Sequence, residues 1–199
     1  MNEYIEITTG PSVLPVSVAD MNAHLRLNDT NENALISDWI EAAASMWLGH
    51  TGHALTTTTL RLNLDYWPTG TVFIPRRPVK TITSLQYLDT AGTWQTVSGS
   101  DYTTDTNSVP ARITFKDTFS YPTLHPTAVP AVRVTCTAGE TLAASVPKLA
   151  LVYVKQLVSH WYGQRESHGE IGLHEIPMGC RAIADQFRTG VTGSWNGGN

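Results

Sequence analysis

The sequence is poor in charge. Charged side chains make up 15% of its 199 residues, whereas about 25% is typical of a soluble domain. The net charge is −4, and no basic cluster extends beyond Arg76 and Arg77. A protein that grips nucleic acid by its phosphates usually carries a basic stripe, so direct gripping of DNA is not expected. A surface with little charge is often one that contacts another protein. The abundant Thr and Ser give an alternative interpretation, which is a surface that is polar but has no partner.

The sequence also lacks the signals of a membrane or secreted protein. Its most apolar window, 149–158, is ten residues long and contains Lys155, whereas a bilayer needs about 20 apolar residues. The first residues have no basic segment followed by an apolar one, so we expect no signal peptide. Two cysteines, Cys136 and Cys180, are too few for a disulfide framework. These features predict folding in a reducing cytoplasm.

Motifs for catalysis and metal binding are missing as well. There is no Gly-x-Ser-x-Gly elbow and no Walker loop, so we expect no enzyme. A zinc site needs three or four ligands at tight spacing, but the sequence has no His-Glu-x-x-His and no Cys-x-x-Cys pattern. We therefore expect no metal and no cofactor. The histidines that could argue otherwise are interpreted as exposed loop residues: His50, His53, His160, His168 and His174.

Apolar residues recur at spacings of three and four in the first and last thirds of the chain, which predicts helices there. Ser17 is the expected N-cap of the first helix, with Asp20 three residues on. Asp29 and Glu32 together form the expected start signal of the second helix, and Gly49 and Gly52 its stop. The predicted helices cover residues 18–27, 30–49, 145 to 162–165, and 178–188.

The middle of the chain has the texture of a β-protein. Leu60, Leu62 and Leu64 alternate with polar residues, as they do in a half-buried strand. Cys136 continues a second such alternation and is expected to face a core. Turn signals separate the segments, and this spacing predicts a small antiparallel sandwich or a curled sheet. The predicted strands cover residues 56–65, 71–74, 79–88, 93–97, 111–115 and 131–138.

The predicted fold class is α+β. It comprises a small bundle of about four helices, with an antiparallel, sandwich-like β-insertion between the second helix and the third. The expected parts are an extended arm at 1–16, a helical domain at 17–55 and 145–188, the insertion at 56–144, and a flexible tail at 189–199.

The third helix has apolar residues on more than one side. Leu149, Val152, Tyr153, Leu157 and Trp161 form one face, and Leu151, Val154 and Val158 lie elsewhere. Such a helix must be covered from more than one direction. Two interpretations stay open: a central helix covered within its own chain, or a face that packs on another protomer. Similarly, Trp195 in the polar tail either anchors in a partner's pocket or belongs to a neutral tail.

Several segments, in this order, resemble the head-tail connector family of tailed bacteriophages, in its long form with a β-insertion. They are IEAAASMWLGHTGHAL at 40–55, LNLDYWP at 62–68, IPRRPVKTITSL at 74–85, VRVTCTAG at 132–139, VPKLAL at 146–151 and HWYGQRE at 160–166. A closing pattern of Pro177, Ile183, Phe187 and Arg188 follows. The resemblance covers about residues 14–188.

This resemblance implies a structural adaptor of the virion, assembled in the host cytoplasm, with no catalytic role. It implies a ring, commonly of twelve subunits, that binds the portal and a downstream head-closure or tail protein. DNA would pass through the lumen without sequence-specific contact, and no membrane is involved. The implied portal-binding residues are Arg181, Ile183, Phe187, Arg188 and Trp195. The expected inter-subunit residues are Leu151, Val154 and Val158.

Two other functions remain open at this point. One is a different virion part, such as a tail-completion or head-closure protein, built on a similar plan. The other is a module that binds a host surface or carbohydrate through the Thr-rich strands and Trp67 or Trp94. The helices that flank the β-insertion favour the adaptor, since a surface-binding module rarely needs them.

Overall fold

The computed structural model describes residues 3–164 and 178–188, and these fold as two compact units. One unit is built from residues 12–56 and from the described residues beyond 139, and it is helical. The other unit is built from residues 3–11 and 57–139, and it consists of strands. The α+β class predicted from the sequence is confirmed, with four α-helices and two antiparallel sheets among the described residues.

The helical unit contains α1, α2, α3 and α4, with a short 3-10 turn, Ala143–Ser145, before α3. The four helices span Val18–Leu25, Asn33–Thr51, Lys148–Gly163 and Met178–Gln186. All four were predicted, with bounds that differ by no more than about three residues. Their apolar sides share one core, in which Trp47, Ile40 and Leu157 are fully buried.

The helix ends follow local chemistry, with one difference from the prediction. The Ser17 hydroxyl accepts a hydrogen bond from the Asp20 amide at 3.0 Å and so caps α1. Gly52 ends α2 in the left-handed conformation, with φ of 70°, which costs a glycine little. The start signal assigned to Asp29 was wrong. Its carboxylate accepts from the Asn31 amide within a turn, and α2 begins only at Asn33.

The β-unit contains eight strands in two sheets. In chain order, β1 to β8 span Glu3–Thr9, Thr58–Leu64, Thr71–Ile74, Val79–Leu88, Trp94–Thr96, Tyr102–Asp105, Ala111–Phe115 and Val132–Ala138. The larger sheet has the order β1-β2-β8-β4-β5, and the smaller has β3-β7-β6. Every pair of neighbouring strands is antiparallel. The antiparallel β-part predicted from the turn signals is therefore present.

The register of β2 against β8 aligns the two alternating patterns that the sequence displays. Leu60 lies opposite Cys136, and Leu62 lies opposite Val134. All four side chains are buried, because residues directly opposite each other in a sheet point to the same face. The prediction that Cys136 faces a core is confirmed.

Two strands have no counterpart in the sequence-based prediction. The segment expected to be only an extended arm contains β1, which pairs with β2 at the edge of the larger sheet. An ion pair of 3.0 Å between Glu6 and Arg61 joins the two strands. The second strand, β6, reads Tyr-Thr-Thr-Asp and shows no apolar alternation, so the pattern search had nothing to detect.

Aromatic side chains link the two sheets of the β-unit. The Trp67 ring lies 5.5 Å from that of Tyr87 on β4 and 5.7 Å from that of Phe115 on β7. Phe119 and Tyr121 complete the cluster. The Trp67 indole N–H donates to the Pro122 carbonyl at 2.8 Å. Trp67 is therefore a structural residue that fastens the loop at 119–122 to both sheets.

We expect alanine substitutions at two leucines of α3 to change the stability of the helical unit by very different amounts. Leu157 is fully buried, whereas Leu149 is 45% exposed. Leu157→Ala should lower the free energy of unfolding of the helical unit by about 2 to 5 kcal/mol, because it removes buried methyl groups and leaves a cavity. Leu149→Ala is the matched control and should cost less than about 1 kcal/mol.

Urea denaturation followed by far-ultraviolet circular dichroism measures both changes. An equal decrease in the free energy of unfolding of the two variants would contradict the assignment of the buried face of α3.

Candidate interaction surfaces

No metal-binding cluster of side chains is present in the described part of the chain. Across residues 3–164 and 178–188, no three His, Cys, Asp or Glu side chains are grouped as a metal site requires. The expectation of an exposed loop histidine was wrong for His53, which is 7% exposed, and His168 and His174 lie outside the described residues. No described helix is both long and apolar enough to cross a bilayer. The surfaces that remain to be examined are those of the helices.

Helix α4 and the two residues directly after it carry four of the five predicted portal-binding residues, and a polar contact fixes the helix to the end of α2. The His50 Nε2 atom lies 2.7 Å from the Asp185 Oδ1 atom. This hydrogen bond and the nearby Arg181 and Arg188 lower the pKa of the Asp185 carboxyl. Both members of the pair are well exposed, so the contact orients α4 more than it stabilises it.

Apolar contacts hold α4 more firmly. The Phe187 ring lies 5.1 Å from the ring of Trp47 and stacks on His53 at 5.8 Å, with an angle of 5° between the planes. Cys180 and Ala184 are buried on the same side of the helix. The Cys180 thiol also lies 3.6 Å from the Gln156 side-chain oxygen on α3. One side of α4 is therefore part of the helical core.

The predicted portal-binding residues consequently divide into two groups. Ile183 and Phe187 are partly buried and pack on the core of their own chain. Arg181 and Arg188 are exposed, and they are the members of the set that a partner can reach. Trp195 lies outside the described residues, so its role stays a prediction.

The predicted inter-subunit residues also occupy different environments. Val154 and Val158 are fully buried in the core of their own chain. Leu151 is half-buried and lines a groove with Val13 and Leu14. Leu151 is therefore the member of the set that lies nearest the surface, and the inter-subunit role stays a prediction.

The exposed apolar residues of α3 are Leu149 and Val152, which are 45% and 40% exposed. Sequence periodicity had grouped them with Tyr153 and Leu157, both of which are buried. The helix is apolar over so wide an arc that periodicity alone cannot tell which part is covered. This exposed face was missed for that reason.

Helix α2 presents a comparable exposed face that sequence reasoning did not single out. Leu35 and Met46 are 37% and 38% exposed, and Ala42 between them is also exposed. Their spacings of seven and four residues place them along one line of the helix. The only signal in the sequence is that the apolar arc of α2 is wider than one core face needs.

The tryptophans proposed for surface binding both have partners. Trp67 is held in its aromatic cluster, and Trp94 lies beneath the Arg133 guanidinium, whose central carbon is 3.9 Å from the ring centroid. Such a contact is a cation–π interaction. The Arg133 guanidinium therefore covers one of the two faces of the Trp94 ring that a sugar could stack on.

Comparison with solved structures finds chains with the same fold. A chain from the neck of an empty gene transfer agent particle, computed with C6 symmetry, matches with a TM-score of 0.77 and 26% identity, over 94% of this chain and 95% of that one. A chain from the virion of a native gene transfer agent particle matches with a TM-score of 0.74 and 24% identity, over 93% and 95%.

A chain from the neck of the native particle, computed with C12 symmetry, also has a TM-score of 0.74 and 24% identity, over 94% of this chain and 95% of that one. The likeness therefore spans both units and nearly the whole length of each chain. No protein-family model matches this chain, and no curated protein does.

The docking of α4 can be tested through the two thiols. Both cysteines are free and buried, and burial raises the pKa of the Cys136 thiol to about 11 and raises that of Cys180 as well. Since the thiolate is the reactive form, both should resist alkylation in the native protein. Phe187→Ala should speed the labelling of Cys180 at least about tenfold, because α4 then opens more readily.

Cys136 on β8 is the internal control and should keep its rate. His50→Ala should speed Cys180 labelling by only about two- to fivefold, since an exposed pair contributes little. Mass spectrometry of peptides after timed alkylation separates the two sites. Equal acceleration of both thiols would contradict local opening of α4.

Proposed function

We propose that this chain is a structural protein of a phage-like virion and forms part of the particle neck. The observation that carries the proposal is the likeness over 94% of this chain and 95% of a chain from the neck of a gene transfer agent particle. A match of that extent includes the helical unit and the β-unit together, so it is more than the sharing of one common motif. The resemblance of the sequence to head-tail connectors supports the same proposal independently.

Within the neck, we infer the role of head-tail adaptor, a ring bound to the portal through which DNA passes. The C6 and C12 symmetries of the matched necks are those of particles built from repeated copies. The net charge of −4 suits a lumen that DNA slides through without being gripped. The subunit carries out no chemistry in this role. Its partners are the portal, its own neighbouring copies and a downstream head-closure or tail protein.

A head-closure protein remains the second candidate. The matched chains come from a particle neck or from a whole virion, and both descriptions fit either component. The order of the sequence segments from 40 to 188 and the helices on both sides of the β-segment favour the adaptor. The two roles differ in what the ring touches, because only an adaptor binds the portal directly.

We propose that α4 makes the contact with the portal through its exposed side. Its buried side is already used by the contacts of Phe187, Cys180 and Ala184 with the core. Arg181 and Arg188 remain on the outside. Arginine is well suited to such a contact, because its planar guanidinium forms paired hydrogen bonds with carboxylates.

The purified protein mixed with its cognate portal and imaged by electron microscopy tests the adaptor role. We expect an extra ring layer that carries the portal's symmetry. A correctly folded protein that adds no layer to the portal, but binds the tail side of an assembled neck, would assign the head-closure role instead.

The contact itself is tested with the double variant Arg181→Ala and Arg188→Ala. Loss of both guanidinium groups should weaken portal attachment at least about tenfold, as expected for central interface arginines. Arg112→Ala, which removes an exposed arginine of the β-unit, is the matched control and should bind normally. Equal binding by all three proteins would rule out α4 as the docking element.

A further inference from the structure

Two helices of the helical unit have large apolar side chains that stay 37% to 45% exposed in the described part of the chain. On α2 the face consists of Leu35, Ala42 and Met46, and we call it the α2 face. On α3 it consists of Leu149 and Val152, and we call it the α3 face. Single exposed apolar side chains are common, but a line of them along a helix is the pattern of a helix that packs on a partner.

The carboxylates that α2 itself places beside this face have no lysine or arginine of the same helix among them. Asp38 lies three residues after Leu35 and four before Ala42, so it borders the same line of the helix. Glu41 is also exposed. Between Asn33 and Thr51, the helix has no lysine and no arginine. The α2 face is therefore apolar with an acidic border.

Helix α3 itself supplies charges of the opposite sign, although Asp20 of α1 lines the same groove as Lys148. Lys148 lies four residues before Val152, and Lys155 lies three residues after it, so both flank the same position of the helix. Between Lys148 and Gly163, the helix has no aspartate and no glutamate. The side chains of these two lysines and of the two acids of α2 form no ion pair and no hydrogen bond with another described residue.

We propose that the α2 face of one copy packs against the α3 face of the next copy. The occupant of each face is thus a second copy of this chain. The apolar residues of the two faces would exclude water from the centre of the contact, and Asp38 and Glu41 would meet Lys148 and Lys155 at its border. Opposite charges at a contact favour encounter and fix its register, and like charges disfavour wrong pairings.

The distribution of charge also disfavours one type of symmetry. A two-fold dimer whose axis passes through the α2 face would place Asp38 and Glu41 against the same two acids of the partner copy. A head-to-tail contact joins two different surfaces, and it makes a closed ring when its rotation closes. This inference rests on the proposed function as a ring component, and it names the surfaces through which the ring would form.

Charge reversal tests the pairing directly. The variant with Asp38→Lys and Glu41→Lys has two basic faces, and the variant with Lys148→Glu and Lys155→Glu has two acidic faces. Each alone should associate with itself at least about tenfold more weakly than the unaltered chain. A mixture of the two should regain assembly, as rings in which the two variants alternate.

The matched control reverses Lys116→Glu and Asp117→Lys, two exposed neighbours in a turn of the β-unit. It should assemble like the unaltered chain. Analytical ultracentrifugation of the free protein and electron microscopy of its complex with the portal measure assembly. Circular dichroism of each variant verifies that it is folded.

The outcomes separate this inference from the proposed function. Normal assembly by both reversed variants, or no recovery in their mixture, would overturn the pairing of the two faces and leave a portal-bound ring standing. Rings that form in solution but do not bind the portal would overturn the adaptor role. The effect of charge reversal on the assembly of those rings would still test the pairing of the two faces. An unaltered chain that forms no ring, either alone or on the portal, would overturn both.

Discussion

The helical core depends on packing between chain segments that lie far apart in the sequence. The ring centroid of Trp47 on α2 lies 5.0 Å from that of Tyr153 on α3 and 5.1 Å from that of Phe187. In the sequence, the strands from β2 to β8 separate Trp47 from these two partners. Backbone pairing of residues 55–56 with Glu140 brings the segments back together. The Glu140 amide donates to the Leu55 carbonyl at 3.2 Å, and Thr56 forms a bridge with Glu140. Bringing such distant segments together costs conformational entropy, which the burial of Trp47 helps to offset.

Sequence patterns located most elements because their apolar residues repeat with the right period. Strands 71–74, 79–88 and 111–115 were predicted at their observed bounds, and α2 was found from its spacings of three and four. Patterns failed where tertiary contacts decide the structure. Strand β1 has both faces largely exposed, so alternation gives only a weak signal, and its place is set by pairing with β2. The start of α2 was misplaced because Asp29 caps a turn instead of the helix.

The candidate surfaces show a different limit of sequence reasoning. Apolar residues surround much of α3, and periodicity can only say that more than one face needs cover. The structure shows that Val154 and Val158 are covered by their own chain, whereas Leu149 and Val152 are exposed. Which arc is buried depends on where α2 and α4 lie, and that is a property of the assembled core. On α4, likewise, spacing marks Ile183 and Phe187 as apolar without indicating that they pack inward.

The scarcity of charge gives the few charged groups of the helices more influence over assembly. With many charges of both signs on each face, no single arrangement of two copies would be strongly preferred. Here α2 has acids but no lysine or arginine, and α3 has lysines but no acid, so these charges attract in the pairing of faces proposed above. Helix α4 contributes separately, since its core-facing side is filled by its own chain and its outer side carries arginines. Contacts between copies and contact with a portal can then use different surfaces, and neither requires the subunit to rearrange its core.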